Sequence, residues 1–194
     1  MANPKFIVVA GVNGAGKTTL YTDNQSLFAN TKRVNADEIL RQQRGDWRSY
    51  ADNLRAMRTE LKLIDAYIQQ RTSFHMETTL AGNGKTQQEL ITQAHSQGFI
   101  VTLLYVGVSS PQVAVSRVAE RVSKGGHGVS TELILKRFRQ SLNNLPKIAR
   151  SADAVKIYSN DQLFHLIYAR DQDRILQDKL SLHPWLPKID RPIL

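Results

Sequence analysis

The residues Gly11-Val12-Asn13-Gly14-Ala15-Gly16-Lys17-Thr18 match the pattern G-x-x-x-x-G-K-[ST] without a gap, and no other feature constrains the fold as tightly. The apolar run Phe6-Ile7-Val8-Val9-Ala10 precedes them and reads as a fully buried strand, and a helical pattern follows from about Lys17 to Leu27. Strand, glycine loop and helix in that order build a nest of backbone N–H groups at a helix N-terminus, which holds phosphate. The expected nucleotide-binding residues are therefore Gly11, Asn13, Gly14, Ala15, Gly16, Lys17, Thr18 and Thr19. Lys17 should reach the β- and γ-phosphates, and the Thr18 hydroxyl should ligate Mg²⁺. A glycine-rich turn that binds nothing is the competing reading, and the flanking strand and helix count against it.

Beyond the loop the chain alternates short apolar runs with longer helical periods. Arg33-Val34-Asn35 is a weak second strand, and Ser49 to Arg71 is the clearest helix. Ser49 can cap that helix with Asp52 three residues on, and Leu54, Met57, Leu61, Ile64 and Ile68 form its apolar stripe. A strand is expected at Ser73–Met76, a helix at Gln87–Ser96 ending at Gly98, and a strand at Phe99–Val106. Ser110-Pro111 opens a helix that ends at Gly125-Gly126; Ser130 caps another from about Thr131 to Arg150; Ala154–Tyr158 is the last strand candidate. This order predicts an α/β, three-layer P-loop NTPase fold with a mostly parallel five-stranded sheet covered on both faces. The 194 residues suit one domain, with a helical lid at about 111–137 and a C-terminal arm at about 181–194 that carries Pro184, Pro187 and Pro192.

Composition excludes several classes. With 41% hydrophobic and 22% charged residues the chain is an ordinary globular one. It has no cysteine, so disulfides and thiolate metal sites are excluded. No apolar run approaches the roughly 20 residues that span a bilayer, and the run after Met1 is too short for a signal-peptide core, so a cytoplasmic location is expected. The net charge of +9 favours anionic partners, while the lack of a Lys/Arg block with interleaved aromatics disfavours nucleic acid.

The loop specifies nucleotide binding and leaves the reaction open. Neither the Asp-x-x-Gly and Asn-Lys-x-Asp motifs of GTPase switches nor the Leu-Ser-Gly-Gly of transporter ATPases occurs, and no strand ends in an apolar run followed by Asp-Glu. Small size and a basic lid point to small-molecule kinases. In an open α/β sheet, ligands sit beyond the carboxyl ends of the strands, and two acidic residues fall there: Asp37 after the second strand and Glu77 after the third. A kinase needs a carboxylate to orient the acceptor hydroxyl and take its proton; for both residues, helix capping is the competing role. His75 is expected to be packed and Glu38 to face solvent. Arg117 and Arg121 share a helix face that Lys124 continues, Gly125-Gly126-His127-Gly128 gives a flexible connection, and Arg137 lies on the next helix. Such a segment suits a closing lid that stabilises charge on the γ-phosphoryl oxygens, although most basic clusters are solvated faces.

In sequence order, Gly-x-x-Gly-x-Gly-Lys-Thr-Thr, Asn-Ala-Asp-Glu-Ile, Glu-Thr-Thr-Leu, Arg-x-x-x-Arg-Val and Gly-Gly-His-x-Val resemble the zeta-toxin family of kinases, from about Phe6 to Asn160. The resemblance implies a phosphotransferase that uses ATP and Mg²⁺. Studied toxins of the family phosphorylate a sugar hydroxyl of UDP-N-acetylglucosamine and are held inactive by an antitoxin, so a sugar-nucleotide acceptor and an acidic antitoxin are the implied partners. Carried over by motif, Lys17 and Thr18 serve phosphate and Mg²⁺, and Asp37 is the base. Glu77 and Thr79 line the acceptor site, with Arg137 added to the substrate-binding set. Arg117 and Arg121 stabilise charge, and Tyr158-Ser159-Asn160 is an adenine-side loop that makes Asn160 a nucleotide contact. Two rival readings remain at this point: a polynucleotide 5′-hydroxyl kinase, and a nucleotide-gated binding protein without turnover.

Overall fold

The computed structural model describes residues 2–189. A single sheet of seven strands runs in the order β2-β3-β1-β4-β5-β6-β7. The strands are β1 (Lys5–Ala10), β2 (Lys32–Val34), β3 (Phe74–Thr78), β4 (Ile100–Gly107), β5 (Ala154–Asn160), β6 (Phe164–Asp171) and β7 (Arg174–Asp178). The helices are α1 (Lys17–Asp23), α2 (Ala36–Gln42), α3 (Tyr50–Gln69), α4 (Lys85–Ser96), α5 (Pro111–Ser123) and α6 (Thr131–Ser151). β1 to β5 pair in parallel, and β6 and β7 add an antiparallel edge.

The α/β class holds, and the sheet is larger than the sequence reading by two strands. Those two form a hairpin after β5, turning at Gln172, whose φ is 48°. Its strand signal is weak because β7 buries neither face: its five residues alternate between exposed and half-buried. A buried arginine ties the hairpin to the core. Arg170 is 6% exposed and donates to the Ala149 and Ala152 carbonyls at 2.8 Å each, satisfying acceptors left open at the end of α6.

β1 is buried on both faces, and the period of two divides it. Phe6, Val8 and Ala10 join a core with α2, α3, α4 and the second half of α6. Ile7 and Val9 join a second core with α1, α5 and the first half of α6. Serine caps work as the sequence implies: Ser49, Ser110 and Ser130 accept from the N–H groups of Asp52, Val113 and Leu133. α1 stops at Asp23 and a short 3₁₀ turn, Gln25–Phe28, replaces its expected end. On α3 the expected stripe is rotated. Ala56, Glu60, Ile64 and Ile68 are its buried residues, whereas Met57 and Leu61 are exposed along a groove described below.

The C-terminal arm is docked over its described part. Leu180, Trp185, Leu186 and Ile189 pack on the first core, and the Trp185 ring lies against Gly107, where a Cβ would collide with it. Residues 190–194 of the arm, Pro192 among them, lie outside the described residues. Among the described residues no helix is long and apolar enough to cross a membrane.

Candidate active site

The site lies beyond the carboxyl ends of β1, β2 and β3, where the strand order reverses around the centre of the sheet. The loop between β1 and α1 wraps closely around backbone. Gly16 has φ 100°, and a Cβ there would run into the Asn160 side chain. Asn160 donates from Nδ2 to the Ala15 carbonyl at 2.9 Å, so the end of β5 braces the loop. Lys17 is buried, and its Nζ donates to the Gly11 carbonyl at 2.7 Å and stands 3.6 Å from Glu77 Oε1. Burial lowers the pKa of Lys17, and the Glu77 and Asp37 carboxylates oppose that shift. Thr18 is exposed at the second position of α1. The cradle therefore fits a nucleotide phosphate. The exposed Thr18 hydroxyl is a donor of the kind taken by Mg²⁺, an ion that keeps several waters and takes most of its other ligands from phosphates. Among the described residues no cluster of three His, Asp or Glu side chains offers an all-protein metal site.

Asn35, and not Asp37, caps α2. Its Oδ1 accepts from the N–H groups of Asp37 and Glu38 at 2.8 and 3.1 Å, while its Nδ2 donates to Glu77 Oε2 at 3.1 Å. The capping role considered for Asp37 thus falls to Asn35, and the Asp37 side chain, 57% exposed, is not used in the cap. Glu77 lies within β3, one residue before its end, and its second oxygen also faces Arg33, at 3.8 Å. Glu38 does not simply face solvent: it pairs with Arg33 at 3.0 Å. His75 is packed, bonding Thr31 Oγ1 from Nδ1 at 2.7 Å; burial drives its pKa down to about 4.

Asp37, Lys17, Glu77, Thr79 and Arg137 line one cavity of about 250 Å³ together with Asn13. A second cavity, of about 320 Å³, shares Met57, Glu60, Glu77, Thr79 and Arg137 with the first and extends between α3 and α4. Arg137 donates from Nη1 to Asn13 Oδ1 at 3.0 Å, which brings the start of α6 onto the phosphate loop. The two arginines of α5 are elsewhere. Arg117 donates to the Asp161 carbonyl at 2.8 Å, and it lines a separate hollow with Arg121 and Lys124. Arg121 nonetheless lies near enough to Lys17 to lower its pKa.

Sequence reasoning missed Glu60. It is 9% exposed, lines both cavities and accepts from the Ala36 N–H, while its Oε1 has no partner. Burial is the main reason its pKa is pushed up to about 7, and the Asp37 and Glu77 carboxylates add to the shift. The detectable signal was a Glu in register with Ala56, Ile64 and Ile68 on a buried helix face. Trp47 and Arg33 were also missed: neither sits in a motif, and each acts through packing or charge from a neighbouring segment.

A seven-stranded sheet with a P-loop at its centre and carboxylates across the cleft defines a P-loop phosphotransferase, a kinase. The chain belongs to the zeta-toxin family, whose model matches residues 1–173. It is 32% identical over 134 residues to an uncharacterized protein of Haemophilus influenzae, covering 69% of this chain and 92% of that one. The PezAT toxin–antitoxin system of Streptococcus pneumoniae superposes with a TM-score of 0.61 at 17% identity, over 87% of this chain and 72% of that chain. The AvrRxo1-ORF1:ORF2 complex with ATP gives a TM-score of 0.76 at 12% identity, over 94% of this chain and 63% of that one. At such identities these two structures speak for the fold.

Proposed function

We propose that the protein transfers the γ-phosphoryl group of ATP to a hydroxyl of a small acceptor bound beside Asp37. The observation that carries this reading is the single cavity whose wall joins Lys17, Asp37, Glu77 and Arg137. The loop of Gly11 to Thr19 holds the triphosphate, and Lys17 moves from the Gly11 carbonyl to the β- and γ-phosphate oxygens. Mg²⁺, held on the protein side by Thr18, supplies charge neutralisation when bound. Asp37 orients the acceptor hydroxyl and takes its proton. Arg137, with Arg121 close enough to act on Lys17 through its charge, stabilises charge on the transferring group; Arg117, tied to Asp161, and Asn160 brace the adenine side. Thr79 and Glu60 hold the acceptor, and Glu77, in the same wall, counters the charge of Lys17. The lid spans 111–137 of a single 1–194 domain.

The family membership makes UDP-N-acetylglucosamine the first acceptor to try and an acidic antitoxin the first protein partner; the complexed neighbours and the +9 charge support the latter. We place the reaction in the cytoplasm, where both ATP and sugar nucleotides are available. The test is a screen of metabolite pools with γ-labelled ATP, products identified by mass, with the wild type beside Asp37→Asn. The variant should keep ATP binding and lose transfer about 10³-fold. Full transfer by Asp37→Asn removes Asp37 from the base role, and label on an oligonucleotide alone replaces the small acceptor by a polynucleotide end.

A further inference from the structure

The Gly125-Gly126-His127-Gly128 segment has no part in the mechanism so far, yet it reaches directly over Asp37. His127 Nδ1 stands 4.0 Å from Asp37 Oδ1, and among the described residues no other basic side chain comes within that distance of this carboxylate. The imidazole does not hang free. Its ring lies 5.1 Å from the Trp47 ring, tilted by 34°. Gly128 abuts the same indole, since a Cβ there would fall 2.9 Å from it. Trp47 is itself fixed on the segment between α2 and α3, where Asn53 Nδ2 donates to its carbonyl at 2.8 Å. The lid loop is thus pinned across the cleft to the segment that follows the Asp37 helix.

We propose that His127, held by Trp47, is a positioning residue that turns the Asp37 carboxylate toward the acceptor hydroxyl, so that the base is aligned only when the lid loop is in place. The inference rests on the kinase reading of Asp37. An exposed carboxylate on the first turn of a seven-residue helix rotates freely, whereas a general base must hold its oxygen within hydrogen-bond reach of the proton it takes. The groups that face His127 are Asp37 and Arg41 on α2, Arg121 on α5 and Arg137 on α6. Burial and the three arginines lower its pKa while Asp37 raises it; the neutral ring keeps one N–H, which a closing of the loop by about 1 Å brings within hydrogen-bond distance of the carboxylate. Glycines on both sides of His127 let the loop deliver and withdraw that donor, linking lid closure to the chemical step.

Two measurements on the whole protein test this. The first is an NMR titration of the imidazoles, with His127 assigned by its absence in His127→Asn. Replacing Asp37 by Asn should lower the His127 pKa, because the one group that raises it is gone; an unchanged value overturns the proposal. The second reads γ-phosphate transfer to water and to the acceptor. His127→Asn, His127→Gln and Trp47→Ala should each slow transfer roughly 10- to 100-fold with the KM for ATP unchanged, and Trp47→Phe should restore the rate lost in Trp47→Ala. Wild-type rates in folded His127 variants overturn the positioning role while leaving the base in place. Full transfer by Asp37→Asn overturns both readings together.

Discussion

Glu60→Gln isolates the most unusual electrostatic feature of the molecule. The Glu60 carboxyl titrates near 7 in the folded protein, against 4.5 for an exposed Glu. The raised value means that the unfolded chain loses this proton first, so folding stability falls as pH rises from 4.5 and levels off above 7. The rise from 4.5 to about 7 amounts to about 3 kcal/mol, most of it lost between pH 5 and 8. Gln keeps the shape and the acceptor for the Ala36 N–H and removes the titration. Its own unpaired amide adds a penalty that does not depend on pH. The quantity to measure is therefore the change with pH in the stability difference between variant and wild type, from urea unfolding at pH 5 and pH 8. The variant should gain about 2–3 kcal/mol relative to wild type over that interval, equivalent to a Tm shift of roughly 5–10 °C for a chain of this size. A difference that is flat with pH, or that moves the other way, refutes the assignment of a buried, unpartnered carboxyl. Transfer activity should fall in the same variant, because a group kept at such a cost beside the acceptor is kept for function.

Asn35→Ala removes the α2 cap and a donor to Glu77 together and should lower stability by about 1–2 kcal/mol in thermal unfolding. Asn35→Asp should restore the cap, yet its transfer rate should stay depressed because Glu77 loses its amide partner and gains a like charge. Arg137→Lys keeps the positive charge but loses the planar fork that reaches Asn13, so transfer should drop roughly 10-fold or more while nucleotide affinity changes little; equal rates would remove Arg137 from the charge-stabilising role. Gly107→Ala should expel the Trp185 ring from its seat, seen as a red shift of tryptophan emission with a lowered Tm, and unchanged emission would show that the arm docks without that contact.

The phosphate loop, the five parallel strands and the positions of Asp37 and Glu77 near strand ends are legible because each rests on a local rule: a glycine spacing, a buried apolar run, or an acidic residue near the carboxyl end of such a run. What the sequence concealed depends on partners far along the chain. Glu60 counts as a surface residue until α2 closes over it and the Ala36 N–H meets it. The β6–β7 hairpin has little apolar periodicity because only one of its strands is well buried and its anchor is a charged residue, Arg170, whose partners are carbonyls at the end of α6. The lid arginines share a helix face as their spacing requires, but spacing carries no information on what the face meets; Arg117 meets the Asp161 carbonyl, while Arg137, one helix later, meets the loop.

Three carboxylates line one cleft, and their surroundings separate their roles. Glu77 accepts from Asn35 and faces the cations of Lys17 and Arg33, which favour its charged form and leave it poorly placed to take a proton. Glu60, buried and near half-protonated at neutral pH, is suited to donate a hydrogen bond to an acceptor oxygen or to accept one from its hydroxyl. Asp37 alone is solvated, uncommitted to any cap and open to the cavity. Exposure, partners and burial thus differ among the three. On that basis we propose proton abstraction for Asp37, acceptor recognition for Glu60 and control of Lys17 for Glu77. The assignment has a consequence that separates the three: Glu77→Gln should alter ATP affinity first, because Lys17 loses its counter-charge, whereas Glu60→Gln should raise the KM for the acceptor and Asp37→Asn should lower kcat. A Glu77→Gln variant with unchanged ATP affinity and a lost kcat would reverse the roles of Glu77 and Asp37.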